Sequence, residues 1–222
     1  MDTTQALVNI NGGKVPTLEI LIGMTILMLL PSIIVMMTSF TRIIIILSFL
    51  RNALGIQQTP PNMVLVGIAL FLSLFIMSPV IDEINTKAYQ PYKEEKIDEQ
   101  QALTLAQEPI KEFMSKQTEV SAFNLFKEMS GQKDIDMSEP TKIPLTVLIP
   151  AFITTELKRG FTAGFLLFLP FLLIDIIVST TLMSMGMMML PPATIALPFK
   201  LLLFVTVNGW ELLFSAIVNS FR

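Results

Sequence analysis

From Ile20 to Thr41 the chain reads ILIGMTILMLLPSIIVMMTSFT and carries no charge. A run of this length fits the helix of about 20 residues that crosses a bilayer. Pro31 falls in its middle and predicts a kink. The apolar pattern resumes after Arg42 as Ile43–Leu50 and stops at Arg51, so two cations bracket a short helical segment. Thr59-Pro60 predicts a helix start, with Thr as N-cap and Pro at the first helical position. The helix it opens, Met63–Val80, is a second spanning candidate and is expected to end near Ser78-Pro79. A third run covers Phe161–Val178 and is broken only by Asp175, and a fourth covers Ile195–Val218, interrupted by Lys200 and Glu211.

The stretch between the second and third runs has a different pattern. Asp82–Lys142 holds 13 acidic and 8 basic residues, whereas the rest of the chain holds 5 acidic and 7 basic. Ile110, Phe113, Met114, Gln117 and Val120 fall at helical spacing, followed by Phe123, Phe126 and Met129. This predicts a small helical extramembrane domain with one apolar face. The expected organisation is therefore all-α and membrane-associated. An N-terminal segment (1–19) precedes a first hydrophobic helical hairpin (20–81), the acidic helical domain (82–142) and a second hydrophobic hairpin (143–222). Arg42 and Arg51 between the first two spans assign that connection to the cytoplasm, with the acidic domain outside. Lys158 and Arg159, at the outer end of the third run, pull against that orientation.

Composition reinforces the membrane reading. Of 222 residues 52% are hydrophobic and only 15% charged, with a mean hydropathy of +0.66. Soluble domains carry about 25% charged residues. The chain has no cysteine and no histidine, which removes thiol nucleophiles, imidazole bases and the commonest zinc ligands. An intramembrane aspartyl protease needs two carboxylates sharing a proton, yet only Asp175 lies deep in an apolar run. A net charge of −3 with no basic patch argues against nucleic acid. Met1–Pro16 has no basic n-region and no apolar h-region, so no secretory leader is expected within it.

Asp175 and Lys200 are the informative charges. If the chain reverses near Met188, Asp175 lies 13 residues before the turn and Lys200 lies 12 after it. Antiparallel helices would bring them to matched depth, where each relieves an insertion cost of roughly 2.5–3.5 kcal/mol. Alternatively, Lys200 snorkels to an interface while Asp175 faces a neighbouring subunit. A small ion or solute transporter would use the same pair to bind cargo or relay protons. Such proteins often contain internal repeats, and none is evident here. The turn itself, GMMMLPPATIALPFK over Gly186–Lys200, concentrates methionines that on their own read as adaptable core filler.

Several stretches carry a resemblance. They are MMTSFTRIIIILSFLRNALG (Met36–Gly55), FIMSPV (Phe75–Val80), AYQP (Ala88–Pro91), TTELKRGF (Thr154–Phe161) and GMMMLPPATIALPFKLLLF (Gly186–Phe204). With their spacing they resemble the FliP family, core subunits of the export gate in the bacterial flagellar type III secretion apparatus. The resemblance implies a pore-forming subunit with no catalytic chemistry and no cofactor, in the inner membrane at the flagellar basal body. It implies a homo-pentameric ring that closes into a helical assembly with FliQ-like and FliR-like subunits. FlhB- and FlhA-like components would dock on this core, and unfolded flagellar proteins would pass through it. Met187, Met188 and Met189 match the family's methionine gasket, with Gly186, Pro191 and Pro192 setting the turn that presents them. Glu156, with Lys158 and Arg159 beside it, is the expected intersubunit contact.

Overall fold

The computed structural model describes residues 7–10, 13–56, 59–132, 134–187 and 189–221. The chain divides into two units, Met1–Met36 and Met37–Arg222. In the first, β1 (Leu7–Ile10) and β2 (Gly13–Pro16) form an antiparallel hairpin that pairs Val8 with Val15. Helix α1 (Thr17–Met36) follows directly and passes through Pro31. The helical run expected to reach Thr41 stops at Met36, and just beyond it the Phe40 amide donates to the Thr38 hydroxyl oxygen (3.3 Å). Such local bonds compete with the helical ladder.

The second unit is built around α2 (Phe40–Leu54). Ile43, Ile46, Leu47, Leu50, Ala53 and Leu54 repeat at helical spacing and are buried. Gly55 ends the helix in the left-handed region (φ +77°), its amide donating to the Asn52 carbonyl at 3.0 Å. Helix α3 (Asn62–Ile84) begins three residues later than Thr59, with Pro61 as its N-cap. The Pro61 carbonyl accepts from the Val64 and Leu65 amides at 2.9 and 3.3 Å, so the first helical bonds start there. Nor does α3 end at Ser78-Pro79. It continues past Pro79 to Ile84, then through a π-turn (Asn85–Tyr89) into α4 (Gln90–Lys93). A proline removes one ladder bond and bends a helix, but packed neighbours keep the helix going.

Asp98 caps α5 (Glu99–Gln117) in a reciprocal box with Gln101, and Gly131 closes α6 (Val120–Ser130). The break at Thr118–Glu119 has a consequence for the expected apolar face. Met114 and Phe123 are buried and Ile110, Phe113 and Phe126 pack beside them, but Val120 opens a new helix and points outward, as does Met129. Helix α7 (Leu145–Ser184) is 40 residues long and runs through Pro150 and Pro170. Helices α8 (Pro192–Thr206) and α9 (Gly209–Asn219) meet at a 63° bend, where Asn208 takes the left-handed conformation (φ +51°).

Four spans were expected. Among the described residues two helices are long and apolar enough to cross a membrane, Asn62–Lys93 and Leu145–Ser184, or three if the bent pair α8–α9 forms one. One apolar core gathers α2, α3, α7, α8 and α9; the other joins α5 and α6 to the start of α7 through Met114, Phe123, Val147, Leu148 and Phe152. Gly164 lets α7 pack closely on α2, since a Cβ there would fall 2.5 Å from the Phe49 ring. Phe71, Phe75, Leu173 and Leu202 remain uncovered by their own chain. Apolar surface on this scale marks contact with lipid or with other subunits.

Candidate functional site

Helix α7 ends in a paired carbonyl cap. The Met187 amide donates to the Leu182 carbonyl (3.0 Å) and the Gly186 amide to the Met183 carbonyl (3.1 Å), with Gly186 at φ +72°. This double bond satisfies carbonyls that a helix end leaves orphaned, and the left-handed step costs least at glycine. Five residues on, Pro191 caps α8 and Pro192 is its first helical residue, a position where the missing amide costs nothing. Met187, Met189 and Leu190, between these two punctuation points, lie outside both helices, at the tip of the α7–α8 hairpin. Met187 is 43% exposed and Met189 99% exposed. Met188 lies outside the described residues.

Below the tip, α7 and α8 bring Asp175 and Lys200 together. Lys200 Nζ donates to Asp175 Oδ2 at 2.6 Å and to the Ala53 carbonyl at 3.0 Å. That carbonyl belongs to the last turn of α2, which has no intrahelical partner for it. Lys200 is buried and Asp175 about one-third exposed. One ammonium therefore joins three helices, and the Ala53 contact is invisible to any reading of the hairpin alone.

A second polar centre lies at the other end of α2. Arg42 is 2% exposed and Glu156 0%. Arg42 Nε donates to Glu156 Oε2 at 2.9 Å, and its Nη2 pairs with Oε1. Nη1 donates to the Ser220 carbonyl and hydroxyl (both 3.1 Å), and Nη2 also reaches Gln117 Oε1 (3.2 Å). The Phe221 ring lies beneath the guanidinium, 3.7 Å from centroid to Cζ. Gln117 Nε2 in turn donates to the Phe221 carbonyl (3.1 Å). Arginine suits this position because its planar fork can serve several acceptors at once.

Glu156, expected at a contact between subunits, is enclosed within its own chain, its carboxylate paired with Arg42. The two cations beside it also bond within the chain. Lys158 Nζ pairs with Glu119 Oε2 (2.6 Å), and Arg159 Nη1 donates to Gln117 Oε1 (3.0 Å). The hydrogen bond from Lys158 holds the Glu119 carboxyl below its ordinary value. Arg42, Gln117, Ser220 and Phe221 were not anticipated as a group. The one available signal was a cation inside an otherwise apolar, helix-spaced run.

Comparison with known proteins places this architecture. The FliP family model matches residues 23–217. The chain is 51% identical over 206 residues to the flagellar biosynthetic protein FliP of Bacillus subtilis (strain 168), covering 92% of each. To that of Pectobacterium carotovorum subsp. carotovorum it is 49% identical over 213 residues, covering 95% of this chain and 82% of the relative. To that of Aquifex aeolicus (strain VF5) it is 45% identical over 211 residues, covering 95% and 88%. A match of this extent, along a chain of long apolar helices, shows that the protein belongs to the FliP family.

Proposed function

We propose that the protein is a pore-forming core subunit of the flagellar type III export gate in the bacterial inner membrane at the basal body. Five copies surround an axis, FliQ-like and FliR-like subunits complete the assembly, and FlhB- and FlhA-like components dock on it. Unfolded flagellar proteins pass along the axis. The observation that carries this reading is the hairpin tip, where a glycine cap and a double proline hold methionines clear of their own chain.

A conduit for unfolded protein must block ions when idle and still admit side chains of every kind. Methionine is unbranched and polarisable, so a ring of Met187, Met188 and Met189 from each copy packs against itself when closed and yields to a passing chain. A constriction lined in this way excludes water and stops ions by dewetting. Asp175, Lys200 and the Ala53 carbonyl tie α7, α8 and α2 together below each tip. The transporter reading is weaker, because both charges are engaged with each other.

Replacing Met187, Met188 and Met189 together by alanine tests the seal. Assembly should be retained while ion conductance of the membrane rises. An assembled triple variant with wild-type conductance would count against the gasket.

A further inference from the structure

Away from the hairpin tip, a cleft of about 610 Å³ opens between α7, α9 and the first turns of α2. Its two walls run antiparallel. Along α7 the lining passes from Lys158, Arg159 and Thr162 to Leu166 and Leu167, and along α9 it passes from Ser220 to Leu213. Glu119 also lines the polar end, so that end holds the cations Arg42, Lys158 and Arg159 against the carboxylates of Glu119 and Glu156 and is net positive, while the other end is apolar. Nine residues separate Lys158 from Leu167, which is about 13 Å at the helical rise.

The charges at the polar end do not balance. Arg42 is neutralised by Glu156 and Lys158 by Glu119. Arg159 bonds only the neutral Gln117 amide, and among the described residues no carboxylate lies within 4 Å of it. The Lys158–Glu119 pair is exposed, and exposed pairs of this kind are weak enough to exchange partners. From Gly160 to Ile174, directly after Arg159, α7 has no charge, and this helix is long and apolar enough to span a membrane. The cations thus stand where an apolar helix meets its polar segment, with a gutter leading away from them along the apolar part. Basic pockets between membrane helices are suited to anionic head groups.

We infer that this cleft binds one anionic glycerophospholipid, with its phosphate on Arg159 and Lys158 and an acyl chain along Leu166, Leu167 and Leu213. A soluble anion would use only the cationic end, and a neutral acyl chain only the gutter. The lipid uses both, and its charge is the one that Arg159 lacks. The site lies apart from the methionine tip and does not depend on the pore reading, so ion conductance is not its readout.

The test uses the assembled complex in mild detergent, stripped of lipid and titrated with phosphatidylglycerol or phosphatidylcholine under native mass spectrometry. Saturable phosphatidylglycerol binding, one per copy and tighter than phosphatidylcholine, is expected. Arg159→Gln and Lys158→Gln should each weaken it about fivefold. Leu166→Trp, which fills the gutter and touches neither charge, should weaken it as well. Equal binding of the two lipids would overturn the inference, as would unchanged binding in Arg159→Gln and Leu166→Trp complexes of wild-type stoichiometry. So would a disulfide from Leu166→Cys to the same position engineered on a neighbouring copy, since the cleft would then hold protein.

Discussion

Arg42 and Glu156 give the sharpest energetic prediction, because both are buried and each is the other's only charged partner within 4 Å among the described residues. Glu156→Leu would leave the Arg42 guanidinium enclosed with only neutral acceptors, namely the Ser220 carbonyl and hydroxyl and Gln117 Oε1. Arg42→Met would leave the Glu156 carboxylate without its donors. Removing one member of a buried pair costs about 3–5 kcal/mol. The double variant removes both charges and retains the cost of polar groups left without partners, about 1–3 kcal/mol. Its destabilisation should therefore fall at least about 3 kcal/mol short of the sum of the singles, because groups in direct contact do not add. The chain's single tryptophan, Trp210, packs against Phe204 and Phe214 and reports unfolding by fluorescence. Denaturant titration of the purified chain and its three variants in detergent supplies the cycle. Singles and double that simply add would show that the two charges are not coupled, and the description of this centre would be wrong.

Other consequences follow from single contacts. Gly164→Ala places a methyl group against the Phe49 ring and should cost about 1–3 kcal/mol by overpacking, while Gly160→Ala, whose Cβ would lie 3.2 Å from Ile45, should cost less; the same denaturant titration ranks them. Lys200→Met releases the Ala53 carbonyl and should speed amide exchange at the C-terminal turn of α2 while leaving the Arg42 end unchanged. The Glu119 carboxyl, held low by Lys158, contributes stability that is present above its ordinary value of 4.5 and lost as pH falls through the lower folded value. Glu119→Gln should flatten the acid side of the stability profile in that window, and an unchanged profile would remove the pair from the account.

The sequence was most informative where physics acts along the chain. Apolar runs predicted long helices, and the matched distances of Asp175 and Lys200 from the turn anticipated a pair that a hairpin brings together. It was least informative where partners are remote. Arg42 and Glu156 are 114 residues apart, and Ser220 is 178 from Arg42, so no periodicity connects them. Read alone, Arg42 resembled a boundary charge that sets orientation, whereas burial beside Glu156 neutralises it inside the fold. A proline misled at one point: Ser78-Pro79 reads as an end, yet α3 continues past it to Ile84. Local propensity marks where a ladder bond is missing, and the packing around it decides whether the helix ends there. The β1–β2 hairpin was legible but not read: Asn11-Gly12 stands between Leu7–Ile10 and Gly13–Pro16, the two-residue pair that favours a hairpin turn.

The absence of cysteine from the chain makes the tip directly testable. A single Met189→Cys substitution places one thiol per copy at the most exposed of the hairpin's described methionines, and Phe71→Cys places one on the uncovered face of α3 as a control. Mild oxidation of the assembled complex should link Met189→Cys chains into disulfide dimers and leave Phe71→Cys chains monomeric. Met189→Cys chains that stay unlinked in an intact complex, and that react with a lipid-soluble thiol reagent, would contradict the placement of these methionines around a shared passage.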